Sequence, residues 1–162
     1  MRARYQPQLQ IGQVSIENIQ FDPRSRDDIP KLLKGLQHIY CNKEIREAVF
    51  KILEEDIGET RSLNNGRPGL ELWKILVMGV LRLSLDLNYD RLHEMVNSHR
   101  EIRQMLGHSD WMDKNRYVLQ TIKDNVNLFT EKTLIKINEI VVKEGHKLLK
   151  KKKSKRGVIH LL

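Results

Sequence analysis

Residues 70–87 constrain this chain more than any other stretch. Leu70, Leu72, Trp73, Ile75, Leu76, Val77, Met78, Val80, Leu81, Leu83 and Leu85 leave Glu71, Lys74 and Arg82 as a narrow polar strip. At 3.6 residues per turn those three side chains share one face. A helix this apolar around its circumference is stable in water only when neighbours cover several of its sides. The rest of the sequence has to supply those neighbours. Gly79 lies inside the segment, where glycine costs about 1 kcal/mol relative to alanine in a helix interior. It reads as a close-packing position rather than a break.

The neighbours are legible as further helices. Ser25 and Asp28 have capping-box spacing, Pro30 suits a first turn, and Leu32, Leu33, Leu36 and Ile39 form one stripe. A second helix is expected after Asn42, carrying Ile45, Val49, Ile52 and Leu53. Residues 58–69 are dense in turn formers and predict a loop. Two short helices follow the apolar one. Asp90 is the expected cap of the first, whose Leu92, Met95 and Val96 face inward. Ser98 and Glu101 introduce the second, Gly107 ends it, and Ile102, Met105 and Leu106 face inward. Beyond a polar connector at 108–112, a helix is predicted over about 117–128. Another begins after Thr130, with Leu134, Ile137, Ile140, Val141 and Leu148 on one side.

The fold class is therefore all-α: a multi-helix bundle containing a helix-turn-helix-like trihelical unit at 70–107, with a basic C-terminal tail. The organisation expected is an irregular arm at 1–24, a helical domain at 25–107 that contains this unit, a connector and helical hairpin at 108–149, and the tail at 150–162. The arm lacks a helical period and carries little weight in this reading.

Composition narrows the function classes. The chain has 162 residues, 40% hydrophobic and 31% charged, enough for a real core. Its net charge of +8 is uneven: residues 143–162 hold eight of the 29 Lys and Arg against one of the 21 Asp and Glu. Nucleic-acid binding has to be argued from local faces and from the tail. Cys41 is the only cysteine, which excludes an internal disulfide and suits a reducing cytosol. No apolar run fits a membrane span or a signal peptide, so a cytoplasmic protein without a membrane partner is expected.

The second short helix is the sharpest candidate site. Arg103 and Gln104 lie within about 60° of Arg100, opposite the apolar positions. Arginine can hold guanine bidentately in the major groove, and glutamine can pair with adenine. Arg91 and His99 would add phosphate contacts. The same face is also what an ordinary solvated amphipathic helix displays. In the tail, Lys150, Lys151, Lys152, Lys153, Lys155 and Arg156 carry enough charge for phosphate binding. Catalysis has little support. His93, His99 and His108 lack the one-turn spacing of a helical zinc site, and residues 65–69 lack the lysine of a phosphate-binding loop. Asp110 and Asp113 read as caps in a polar connector.

At residues 67–107 the pattern resembles the N-terminal helical domain of bacterial insertion-sequence transposases. The resemblance rests on Arg67-Pro68-Gly69, the apolar helix, Tyr89-Asp90-Arg91-Leu92 and the Leu106-Gly107 stop. The nearest variety is the not-classified-yet insertion-sequence group (ISNCY). Later stretches, 119–126 and 140–149, are also similar, so the resemblance covers roughly 25–150. It implies a protein whose relatives bind terminal inverted repeats in double-stranded DNA. Those relatives cut and join strands with two aspartates, a glutamate and Mg²⁺ on a ribonuclease-H-like domain. After Lys153 the sequence departs from that pattern, and no catalytic residue can be carried over. The expectation is a truncated, catalytically inactive fragment with no cofactor of its own, open to partnership with a second copy or an intact transposase. The alternative is a helical protein–protein interaction module using the 134–148 stripe, or a small DNA-binding regulator without a role in transposition.

Overall fold

The computed structural model describes residues 2–5, 11–58, 69–111 and 113–156, with side chains through residue 145. The described residues are all-helical. A 3₁₀ turn at Ile16–Asn18 precedes α1 (Asp28–Cys41), α2 (Lys43–Ile57), α3 (Leu72–Ser84), α4 (Tyr89–Ser98), α5 (Arg100–Met105), α6 (Leu119–Val126) and α7 (Glu131–Arg156). The predicted loop at 58–69 lies almost wholly outside the described residues.

The apolar segment is the buried centre. In α3, every residue from Ile75 to Leu81 is buried, as are Leu72 and Trp73. Helices α1, α2, α4 and α6 all contact it. Gly79 is where Phe129, itself fully buried, approaches: a Cβ there would collide with the ring's Cδ1. The Trp73 indole N–H donates to the Met105 carbonyl at 2.8 Å, tying α3 to α5 and leaving no buried donor unpaired on that ring.

Residues 2–5 of the arm, given little weight above, hold the start of this helix. Glu71 provides no side-chain cap to α3. Instead the Leu72 and Trp73 N–H groups donate to the carbonyls of Ala3 and Arg4 at 2.9 and 3.0 Å. Helix N-termini leave such donors orphaned, and in a buried position they need partners. Arg4 reaches Glu54 at 2.7 Å and Glu47 at 2.8 Å on α2. Arg2 donates through Nη1 to Leu70 O and to Asn125 Oδ1 on α6. Tyr5 completes an aromatic cluster with Tyr40 and Trp73, with ring centroids 5.2 to 6.2 Å apart. Ile16 and Ile19 join the core, where Gln37 holds their carbonyls.

The helix caps differ from expectation by a residue or two. Asp27, not Ser25, accepts from Ile29 N at the start of α1, while Ser25 Oγ accepts from Asp27 N. Asn88, not Asp90, caps α4 through Arg91 N at 2.8 Å. His99, not Ser98, caps α5: its Nδ1 accepts from Ile102 N, and the Ser98 hydroxyl turns back to Glu94 O. Helix α2 starts after Asn42 as expected, and Asn42 Oδ1 caps it by accepting from Ile45 N. Gly107 ends α5 with φ +90°, and the bonds from Gly107 N to Gln104 O and His108 N to Arg103 O form a Schellman closure.

One core runs through the chain on both sides of Gly107. Ile122, Val126, Phe129 and Ile137 are buried in the same cluster as Leu33, Leu53 and Leu76. Asp56 on α2 accepts from the Thr133 hydroxyl at 2.8 Å and from Lys136 Nζ at 3.0 Å on α7. The stripe at 134–148 is therefore largely engaged internally. Ile137 is buried and Leu134, Ile140 and Val141 pack against the core, whereas Ile135 and Val142 face out. Leu148 lies outside the described side chains.

Gly79→Ala tests the α3 packing. Helix propensity alone would favour alanine by about 1 kcal/mol. The clash with Phe129 is expected to reverse the sign, for a net loss of about 1–3 kcal/mol by urea unfolding. Combining it with Phe129→Leu should recover part of that loss. A stabilised Gly79→Ala variant would mean that Phe129 does not pack there.

Candidate nucleic-acid interface

The face of α5 expected to meet solvent is covered on two of its three positions. The connector at 108–117 does not project away from Gly107; it folds back across α4 and α5. Arg100 alone of the trio is exposed, with 72% of its side chain in solvent. Gln104 is buried, and its Nε2 donates to the Asp110 carboxylate at 2.9 Å. The same carboxylate accepts from Arg100 Nη2 at 3.0 Å. That bond, the first cause, raises the Arg100 pKa above its ordinary value, with the Asp110 charge acting in the same direction. Only one of the five guanidinium donors is engaged in this bond, and most of the side chain remains in solvent.

Arg103 is likewise drawn inward. Its Nη2 donates to Asn115 O at 2.9 Å and its Nη1 to Val96 O at 3.3 Å, with Asp113 Oδ1 3.9 Å away. Its side chain is 11% exposed. Burial lowers its pKa as the leading effect, and Arg116 nearby adds to it. The solvent-facing positions predicted for Arg103 and Gln104 are thus corrected. A helical wheel assigns faces from one helix's own residues and contains no information about a later segment that covers it.

The connector is anchored by a hydrogen-bonded chain that sequence reasoning passed over. His108 is buried. Its Nδ1 lies 2.9 Å from Asp113 Oδ2 and its Nε2 lies 2.6 Å from the Tyr117 hydroxyl. Asp113 also accepts from the Asn115 and Ser109 N–H groups. Asn97 on α4 pairs with both backbone groups of Tyr117, accepting from its N–H and donating to its carbonyl, and His93 Nε2 approaches that carbonyl at 3.0 Å. Burial lowers the His108 pKa, outweighing the opposing bond to Asp113. Burial likewise raises the Tyr117 phenol. At neutral pH the imidazole is neutral, with Nδ1–H donating to Asp113 and Nε2 accepting from Tyr117. A protonated phenol and a weakened imidazole base are the opposite of an activated nucleophile, so the chain acts as a clamp on the connector. The one sequence signal for it is His108 five residues before Asp113 and nine before Tyr117, a spacing with no meaning until the backbone reverses.

The remaining candidates are dispersed. Arg91, at the start of α4, is exposed and 3.0 Å from Glu94. His99 is half-buried in its capping role beside Glu101. Lys150, Lys151, Lys152, Lys153, Lys155 and Arg156 lie on the helical backbone of α7, and their side chains are outside the described ones. Cys41 is exposed, and partial burial moves its thiol pKa up, away from an activated thiolate. The Mg²⁺ site of full-length transposases needs three converging carboxylates. Among the described residues no group of three or more His, Cys, Asp or Glu could hold a metal ion. Nor is any described helix long and apolar enough to cross a membrane. Comparison with known proteins finds no matching family model, curated protein or solved structure.

The buried His108 has a consequence for acid stability. Because its pKa is lowered on folding, the unfolded chain takes up a proton that the folded chain refuses. Stability is therefore full above the ordinary histidine value of about 6.5 and declines as pH falls below it. Asp113 adds a loss at lower pH. Burial would raise its carboxyl, but the Asn115 N–H and His108 bonds prevail and hold it below the usual aspartate value. Urea midpoints measured at pH 7.5 and 5.5 should fall for the native sequence and fall less for His108→Gln. A His108 proton resonance titrating above 6.5 would show instead that Asp113 dominates.

Proposed function

We propose that this chain is the DNA-binding helical portion of an insertion-sequence transposase, recognising element ends as double-stranded terminal inverted repeats. The sequence resemblance over 25–150 supports the family. The observation that carries the binding role is the chain Gln104–Asp110–Arg100: a buried amide holds a carboxylate, and that carboxylate aims an exposed arginine. Arg100 opens the third helix of a compact α3–α4–α5 set in which His99 alone separates α4 from α5. We read that set as the helix-turn-helix-like unit. A guanidinium whose direction is fixed before binding loses less entropy when it meets a base edge or phosphate.

In this reading the roles of the candidate residues divide. Arg100 contacts DNA, and Arg91 and His99 lie beside it for phosphate. Gln104 and Arg103 are positioning residues, acting through Asp110 and through the connector. The lysines at 150–153 with Lys155 and Arg156 supply contacts independent of sequence. Four to six such contacts correspond to a salt slope of about −4 to −5. No catalytic role is proposed for any residue. A module for protein contact keeps one observation in its favour, the outward Ile135 and Val142 one heptad apart on α7.

The test is a DNA titration comparing a related element's terminal repeats with scrambled duplex at two salt concentrations. Arg100→Ala should weaken repeat binding roughly five- to hundred-fold and remove the preference. Replacing Lys151 should weaken both duplexes alike and reduce the salt slope by about one. Arg103→Ala should also lower thermal stability, which separates its positioning role from contact. Equal binding to both duplexes, unchanged by Arg100→Ala, would overturn sequence recognition, and no binding at all would overturn the DNA reading.

A further inference from the structure

Helix α7 is longer than the helix that supports it. It has 26 residues against 15 in α2, on which it packs. At 1.5 Å per residue these are about 39 and 22 Å. Asp56, in the last turn of α2, bonds to Thr133 and Lys136 in the first turns of α7. The long helix therefore runs back along α2 and outlasts it by roughly ten residues. A solvated helical stretch of that length is marginal without a neighbour.

The face of α7 turned away from the bundle carries a pattern with the same order of residue types in both directions. Thr133 and Ile137 are buried, while Ile135 and Val142 are each 56% exposed. Glu131 and Asn138 are exposed with them. Taking Val142 as zero, positions 131, 135, 149 and 153 fall within about 20° of it, and 138 and 146 within about 40°. The helical backbone continues to Arg156, and the sequence places His146, Leu149 and Lys153 at those positions. Outward from Val142 the line reads Asn138, Ile135, Glu131 one way and His146, Leu149, Lys153 the other. It is polar, then aliphatic, then charged, with opposite signs at its two ends. Positions 150, 151 and 152 lie about 80° or more off this line.

We propose that α7 pairs antiparallel with α7 of a second copy, with Val142 on the two-fold axis. A two-fold interface has to be self-complementary, and this line is. Ile135 meets Leu149, Asn138 meets His146, and Glu131 meets Lys153, each pair occurring twice. A parallel pair would instead set two strongly basic ends side by side, since residues 143–156 hold eight Lys and Arg against Glu144 alone. The matched order of residue types is what singles out a second copy as the occupant: one chain supplies both halves of every pair. With α2 on the opposite side of α7, the two bundles lie apart and leave the helix pair between them. The inference requires no DNA and stands or falls separately from the DNA-binding reading.

The test is sedimentation equilibrium of the whole chain without DNA, in a Cys41→Ser background, over a series of concentrations. A monomer–dimer equilibrium is expected. Val142→Glu sets like charges together on the axis and should weaken dimerisation about tenfold or more. Glu131→Lys should weaken it a few-fold, and adding Lys153→Glu to that variant should restore it, a recovery that a folding defect would not give. Unchanged far-ultraviolet circular dichroism checks that each variant keeps its helices. Oxidation reads the register. Val142→Cys should form a disulfide-linked dimer. Ile135→Cys should not, because its two Cα atoms would be separated by about 21 Å along the pair, against the less than about 7 Å that a disulfide spans. A chain that stays monomeric throughout, or a dimer indifferent to Val142→Glu, overturns the interface. Ready cross-linking through Ile135→Cys overturns the antiparallel arrangement.

Discussion

A helix that is apolar on nearly every side has to be enclosed, and enclosing α3 sets the position of almost everything else. Its flanks demand neighbours, which α1, α2, α4 and α6 supply. Its ends are the harder problem. The first N–H groups of a buried helix cannot turn to water, and an unpaired one costs about 1–3 kcal/mol. Glu71 does not cap α3, so the chain brings Ala3 and Arg4 from the far end of the sequence to accept those bonds. Once the arm lies there, Arg2, Arg4 and Tyr5 are in reach of α6, α2 and the Tyr40–Trp73 pair. At the other side, the Trp73 indole has one donor to satisfy, and Met105 O receives it. This bond fixes the end of α5 against the core and so determines where the connector begins.

The connector follows from how short α5 is. Six residues make fewer than two turns, and with Ile102, Met105 and Leu106 committed to the core the helix has little surface with which to stay in place. Residues 108–117 cover its other side and hold it through polar bonds rather than apolar area. Two carboxylates do most of this: Asp110 joins Gln104 to Arg100, and Asp113 joins His108 to the Ser109 and Asn115 backbone. Each carboxylate is satisfied from several directions, which is what makes a partly covered polar network tolerable. The same bonds that stabilise α5 also decide which cation remains outside.

Much of the bundle was legible because its signals are local. The stripes of α1, α2 and α4, the all-round apolar character of α3 and the stop at Gly107 are contained within one or two helical turns. The caps were displaced by a residue or two because several good capping residues stand side by side. Geometry chose the one whose oxygen or ring nitrogen reaches the third amide: Asn88 over Asp90, and His99 over Ser98. The arm could not be read, since its bonds join residues 68 and 123 positions apart and have no period. The candidate site was half legible for the same reason. Arg100, Arg103 and Gln104 do share a helix face, but a segment that begins only four residues after Gln104 covers two of them.

This displacement changes what a polar helix face means in so compact a domain. Of the trio, Gln104 and Arg103 satisfy the connector's carboxylates and carbonyls, and Arg100 has the donors left over. The distinction follows from position. Gln104 and Arg103 stand in the second half of α5, beneath the returning chain, whereas Arg100 stands at its start, beyond the connector's reach except through Asp110. Burial of Gln104 bears on Arg100 directly, because its amide holds the Asp110 carboxylate to which Arg100 donates, whereas Arg103 bonds only to Val96, Asn115 and the neighbourhood of Asp113. The one exposed cation of the trio thus takes its partner from a carboxylate that the buried amide already holds.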